Sequence, residues 1–296
     1  MNEIHYIYLS NKVMKYINVI IFLVFIFSDT FAQNTVGTPE QLKQFFKTKT
    51  LVVLEEDPFN ESNIQLKTAV QKNWKLTEFE IISVDDYEKK KKNPAYSFLT
   101  IDKIYYEGDK AASKYNFLCL ALGGNYKNDS EMPQLCTVPL SYADADEATF
   151  SYKIATMLNF LQNHILLTSK NQELKSANII DYYQKNLSEL KNKVLYVSKD
   201  ELELSINTED KFRKTYPYKF KIVTRDEIEE AIDNNNPDVV FLHKVGPGNK
   251  NQKARCWIIL MGAADAKLYF FDYHKIDDNH PDALLDSELK KITNNK

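Results

Sequence analysis

The chain is poor in the residues that loosen, staple or strongly charge a protein. Seven glycines and nine prolines among 296 residues leave little material for long linkers or low-complexity tracts. Three cysteines with no CxxC and no Cys/His spacing argue against a structural zinc site. A formal net charge of −3 supplies neither a basic nucleic-acid footprint nor an acidic tail, so no nucleic-acid partner is expected. Motifs for chemistry are missing too: there is no GxSxG elbow, no HExxH and no cysteine in a recognised nucleophile motif, so no catalytic residue is nominated and no cofactor is implied.

What is present begins at the N-terminus. Lys12 and Lys15 precede the apolar run Tyr16–Phe27, and small residues stand at Thr30 and Ala32. A basic region, an apolar core and small residues near the cut make a secretory signal peptide over residues 1–32. The run falls short of the roughly 20 residues that span a bilayer, which weighs against the competing reading of a membrane anchor. Translation from Met14 gives the more ordinary signal length. Removing residues 1–32 takes Lys12, Lys15, Glu3 and Asp29, so the charge is unchanged. The expectation is an exported protein, periplasmic or extracellular, with no transmembrane anchor after cleavage. Export permits disulfides, and Cys119 with Cys136 is the closest pair on adjacent predicted strands; buried free thiols are the alternative.

Two phrases repeat. Asn93–Leu99 reads NPAYSFL and Asn236–Leu242 reads NPDVVFL. Around them Lys49–Asp57 answers Asn192–Asp200, Phe79–Pro94 answers Phe220–Pro237, Asn116–Gly124 answers Cys256–Ala264, and Pro133–Phe150 answers Ala266–Leu285. Ordered matches at nearly constant spacing point to an internal duplication. Each copy reads as short apolar strands alternating with helices, then strands joined by short loops. The predicted fold class is α/β, with two duplicated β-α-β-α-β-β-β-α units in mixed sheets joined by a helical connector. The expected boundaries are 33–168 for the first lobe, 169–190 for the connector and 191–296 for the second lobe. Helical spacing of Phe150, Ile154, Met157, Leu161 and Ile165 predicts a helix over Glu147–Thr168, with His164 on its polar side, and a second is predicted over Ser176–Leu190. Thr38, Pro39 and Gln41 form a helix-start signature. Shared positions are mostly apolar, which favours a structural reason for the repeat, two lobes about a pseudo-twofold axis.

Candidate sites are few. The 18 tyrosines and 17 phenylalanines cluster in hairpin-like segments, and Tyr105, Tyr106, Tyr115, Tyr216 and Tyr218 are the ligand-binding candidates, since tyrosine is enriched at interfaces; core packing and strand propensity are the alternative. Asp272, His274 and His280 form the one local cluster of plausible metal ligands, lacking any recognised spacing. The glycine-bearing loop Lys244–Lys253 runs between two predicted strands, so it reads as a hairpin rather than a phosphate cradle. Acidic residues follow the first strand of each copy, at Glu55, Glu56 and Asp57 and at Asp200 and Glu201, where α/β sheets commonly hold ligands.

The segment FKIVTRDEIEEAID, Phe220–Asp233, resembles the N-terminal α/β domain of TolB and related envelope proteins, in which a strand leads into an Arg-Asp/Glu-bearing helix. The likeness covers about one strand and one helix per copy, and the first copy departs from it, with Val84 in the place of Arg225. It implies an envelope interaction module and carries no catalytic residues. The resulting expectation is a non-enzymatic protein whose partner is an envelope or extracellular protein. A small molecule or glycan, or a hydrolase site between the lobes, is the alternative.

Overall fold

Short β-branched and apolar runs pair into two five-stranded mixed sheets, seen here in a computed structural model that describes residues 36–55, 57, 60–106, 114–248 and 254–294. The expected signal peptide, 1–32, lies outside the described residues, as do Glu56 and the predicted hairpin turns at 107–113 and 249–253. The first sheet contains β1 (Lys49–Leu54), β2 (Phe79–Ser83), β3 (Tyr96–Tyr105), β4 (Lys114–Leu122) and β5 (Gln134–Tyr142), in the order β2-β1-β3-β4-β5. The second contains β6 (Val194–Ser198), β7 (Lys219–Val223), β8 (Val239–Val245), β9 (Arg255–Gly262) and β10 (Leu268–Lys275), in the order β7-β6-β8-β9-β10. In each, the first strand pairs parallel with the second and third, and the last three run antiparallel.

The helices come in matching places. α1 (Pro39–Phe45) precedes the first sheet, and α2 (Glu61–Asn73), α3 (Val84–Lys90) and α4 (Ile154–Lys170) belong to it. α5 (Ile179–Gln184) leads to the second sheet, followed by α6 (Glu209–Thr215), α7 (Arg225–Asp233) and α8 (Asp286–Asn294). Thr38 caps α1 in a full capping box with Gln41, as its sequence predicts. Ser83 and Thr224 cap α3 and α7 at corresponding positions, each accepting a hydrogen bond from the third helical N–H.

Hydrogen-bond register makes the correspondence residue by residue. Lys49 pairs with Tyr96 and Thr50 with Phe79; Val194 pairs with Val239 and Leu195 with Phe220. Lys49 therefore corresponds to Val194, two residues along from the sequence alignment. A two-residue slip preserves the faces of a strand, which is why apolar pattern alone did not detect it. In the last strands the slip is a single residue. Leu120 pairs with Cys136, and its counterpart Leu260 pairs with Phe270. Both ladders then skip one residue, Leu135 and Tyr269, before resuming. A β-bulge in the same rung of both sheets is consistent with duplication.

The sheets meet along a seam in which counterparts touch. Phe117 and Trp257 occupy the same position of β4 and β9, and their rings contact edge to face at 5.7 Å. Tyr115 and Arg255 also correspond: the Tyr115 hydroxyl accepts from Arg255 N at 2.7 Å and donates to Arg255 O at 3.1 Å. Positions that contact their own counterparts lie on a local twofold axis. Tyr115, Phe117 and Trp257 are buried, so the seam is filled with side chains.

Two helix expectations change. The segment from Glu147 forms two short 3₁₀ turns, Glu147–Thr149 and Ser151–Lys153, before α4 starts at Ile154. Asp146 caps Ala148 there, and Phe150 breaks the run with φ −140°. His164 is buried rather than on a polar face, because α5 covers that side and Tyr183 hydroxyl sits 2.9 Å from its Nδ1. The connector is likewise docked: Asn186 donates to Leu268 O of β10 at 2.7 Å.

Candidate functional site

In a sheet of order β2-β1-β3, the chain leaves β1 to one side and returns past it to the other. The crevice at the carboxyl ends of β1 and β3 is the topological switch point, where open α/β sheets bind ligands. A cavity of about 240 Å³ lies there. Val53 and Glu55 at the end of β1, Thr100 and Asp102 on β3, and Val84 and Tyr87 of α3 contribute to its walls. The start of α2 closes another side. Its N-terminus is already occupied by the carboxylate of Glu147, which accepts from Glu61 N at 2.6 Å and from Ser62 Oγ at 3.2 Å. A negative side chain suits that helix end.

Asp102 is the unusual group of this crevice. Burial lifts its carboxyl above the ordinary range, while Thr100 and Cys119 beside it pull the other way and Asp129 adds to the rise. Among the described residues it forms no ion pair within 4.0 Å. Glu55 of the same crevice was visible in the sequence as a strand-end carboxylate. Asp102 was not singled out: the predicted strand ends at Ile101, whereas β3 runs on to Tyr105, and the register places Asp102 beside the switch point.

The corresponding crevice of the second sheet is filled by the chain itself. By register, Glu55, Val84, Thr100 and Ile101 correspond to Asp200, Arg225, His243 and Lys244. Lys153, 2% exposed, places its ammonium 6.0 Å from the ring centroid of Phe241 and 5.2 Å from that of Tyr152. Burial pushes its pKa down against the attraction of Glu201, and Arg225, Lys244 and Asp200 also act on it. Glu201 moves the opposite way, raised by burial against the pull of Lys153 and Lys244. Its Oε2 is buried without a hydrogen-bond partner. The strap carrying Lys153 is held by Arg225, which donates to Ala148 O at 3.2 Å.

His243 lies within this filled crevice. Its Nε2 lies 3.0 Å from Pro139 O and its Nδ1 is buried without a partner. Since a carbonyl only accepts, Nε2 carries the proton and Nδ1 is bare. Burial, reinforced by Lys153, depresses the pKa to about 3, against the Pro139 hydrogen bond.

The nominated residues fall in separate places. Tyr105 is exposed, Tyr106 stacks on the Arg255 guanidinium at 3.8 Å, and Tyr115 is fully buried in the seam. Tyr216 packs against Tyr218 and against Phe220 of β7, away from the other three. Asp272 pairs with Lys291 at 2.7 Å, and His280 with Asp277 at 2.8 Å. His274 Nδ1 faces Glu288 at 2.8 Å and its Nε2 faces Pro281 O at 2.9 Å. No group of three or more metal-ligating side chains converges among the described residues, because Asp272, His274 and His280 each serve a local partner. Cys119 and Cys136 are free and buried. Cys119 stands opposite Thr137 and Cys136 opposite Leu120, so consecutive alternation puts the two thiols on opposite faces of the sheet. That is the physical reason they do not pair.

Cys256 and His274 are direct cross-strand partners, which invites comparison with a cysteine–histidine relay. Both His274 nitrogens face acceptors, so both donate and the ring is an imidazolium. Burial lowers its pKa, but the hydrogen bond and charge of Glu288 outweigh that and leave it raised. Burial also drives the Cys256 thiol well above its ordinary value. An imidazolium has no lone pair to take a thiol proton, so this pair is structural.

A broader groove of about 310 Å³ runs beside α4, but its amides are mutually engaged. Gln162 accepts from Lys75 N at 2.8 Å and donates to Asn73 O at 3.0 Å, and Asn163 donates to Asp265 O at 3.0 Å. The switch-point crevice, where Asp102 has no ion pair among the described residues, is thus the better candidate. No protein-family model matches this chain, and neither a curated protein nor a solved structure does.

Proposed function

We propose that the chain is an exported, non-enzymatic binding module of the periplasm or extracellular space, holding its ligand in the open crevice of the first sheet. The carrying observation is Asp102, a half-buried carboxyl at a topological switch point with no cationic partner among the described residues. Carboxyls and amides orient and neutralise a ligand. Cys256 and His274 are locked as thiol and donor, which supports binding over nucleophilic chemistry. Likeness of Phe220–Asp233 to TolB-type envelope proteins and the signal-like N-terminus favour an envelope or extracellular partner. The alternative, a small molecule or glycan held between the lobes, has less to support it, since the seam between the sheets is filled with side chains. The test is a binding screen by amide NMR on the mature chain, with amines, sugars, carboxylates and peptides. Shifts confined to Glu55, Asp102 and α3 support the reading. Binding elsewhere, or none across the screen, sinks it. Fractionation with N-terminal sequencing checks export, with a mature start at Gln33 as the expected result and a retained leader in the cytoplasm as the contrary one.

A further inference from the structure

The two crevices are one construction in two conditions. Four wall positions correspond by register, and in the second sheet the group seated among them is a primary ammonium, that of Lys153, buried with its nitrogen 6.0 Å from the ring centroid of Phe241 on β8. Its surroundings are Glu201, Asp200, Arg225, His243 and Lys244. The last four are the counterparts of Glu55, Val84, Thr100 and Ile101, while the counterpart of Glu201, Glu56, lies outside the described residues. In the first sheet the same wall positions border a cavity of about 240 Å³, and among the described residues no side chain corresponding to Lys153 enters it. We propose that the first crevice is a slot for a primary ammonium group, supplied by a small amine or by a lysine side chain of a partner protein. The inference rests on the reading of this crevice as the binding site and specifies what it takes.

Charge supports the assignment. Relative to the second crevice, the first has Val84 for Arg225, which removes a cation, and Asp102 for Val245, which adds a carboxyl; Ile101 stands for Lys244, which Asp282 already pairs at 2.8 Å. Glu55 matches Asp200 in sign. The second crevice holds a lysine despite the neighbouring Arg225. The first, with Val84 in that place and Asp102 added, favours an ammonium more strongly. Lys103 contributes at the rim, but strand alternation turns it from the face that carries Asp102. At about 240 Å³ the cavity is below the range of about 300–1,000 Å³ for drug-sized ligands. A methylene stem with a compact three-donor head fits such a space. Charge-assisted hydrogen bonds to a partly desolvated carboxylate are the strong kind.

The experiment is an amide-NMR titration of the full mature chain with n-butylamine and with Nα-acetyl-lysine methylamide. The Nε-acetylated lysine derivative, the arginine derivative and butyrate serve as comparisons. At least one primary amine is expected to shift the amides of Glu55, Asp102 and Asn116, whereas the acetylated form leaves them unmoved. Asp102→Asn is expected to weaken the binding at least tenfold; Glu55→Gln serves if that variant does not fold. Equal affinity for the two amines identifies a small amine as the source, and a tenfold preference for the lysine derivative identifies a protein side chain. Silence from both amines overturns the inference, as does equal binding of the acetylated or arginine compound. If a sugar or carboxylate shifts the same amides while the amines do not, the site stands and its proposed chemistry falls. If nothing shifts them, both readings fall together.

Discussion

Acidification should weaken this protein through one side chain. His243 is 1% exposed, its Nε2–H is committed to Pro139 O, and its bare Nδ1 has Lys153 and Lys244 as charged neighbours. Protonating it would bury a second N–H with no acceptor, in a positive field. With the folded pKa depressed to about 3 and the unfolded value near 6.5, the unfolded chain binds the proton first. The contribution is therefore complete above about pH 6.5 and is lost as pH falls toward 3. Between pH 8 and pH 5 that loss comes to about 2 kcal/mol for a single site. Urea unfolding at half-unit pH steps measures it. His243→Gln keeps a donor for Pro139 O and cannot titrate, so the difference between wild type and variant isolates the term. A difference that stays flat within about 0.5 kcal/mol across this range would refute the reasoning. So would a variant that loses stability as steeply as the wild type.

His274 should behave in the opposite sense. Its folded pKa is raised, so its contribution is complete below about pH 6.5 and fades as pH climbs through the folded value. Glu288→Gln should cost about 3–5 kcal/mol near neutrality, as for a broken buried pair, and should remove that alkaline decline; an unchanged decline in a denaturant series counts against the pair. Truncating Trp257 or Phe117 to alanine should each cost about 3–5 kcal/mol. The double variant should reveal about 0.5–1.5 kcal/mol of coupling, and strict additivity in the unfolding energies would mean that the seam contact contributes nothing of its own. Thiol titration should find three reactive cysteines in denaturant and almost none in the native chain, since all three are buried and free; a count of one in non-reducing denaturant would show a disulfide after all.

The sequence carried the sheets but not their geometry. Apolar runs and the two Asn-Pro phrases located the strands, and Thr38–Gln41 announced its capping box, because these signals are local. The offset of Lys49 from Val194 was hidden because a two-residue slip conserves the faces of a strand. The bulges at Leu135 and Tyr269 were hidden because an unpaired residue has no signature in composition. Cys119 and Cys136 looked close along the chain, yet face assignment requires the ladder. The candidate site was half legible. Glu55 stood at a strand end, where carboxylates draw notice, whereas Asp102 and Lys153 became informative only when the fold set one beside a cavity and the other inside its twin. Tyrosine clustering was the least informative signal, since Tyr115 and Tyr216 are wholly buried.

The seam has an evolutionary consequence. Two identical subunits joined across a twofold axis must carry every substitution twice, so filling one crevice with a lysine would fill both. A single chain that bears both sheets is released from that constraint. Lys153 belongs to the strap after the first sheet and enters only the second crevice. The matching stretch after β10 leads through Asp282, which pairs with Lys244 at 2.8 Å, directly into α8. Joining the copies thus lets one crevice become part of the architecture while the other keeps its cavity.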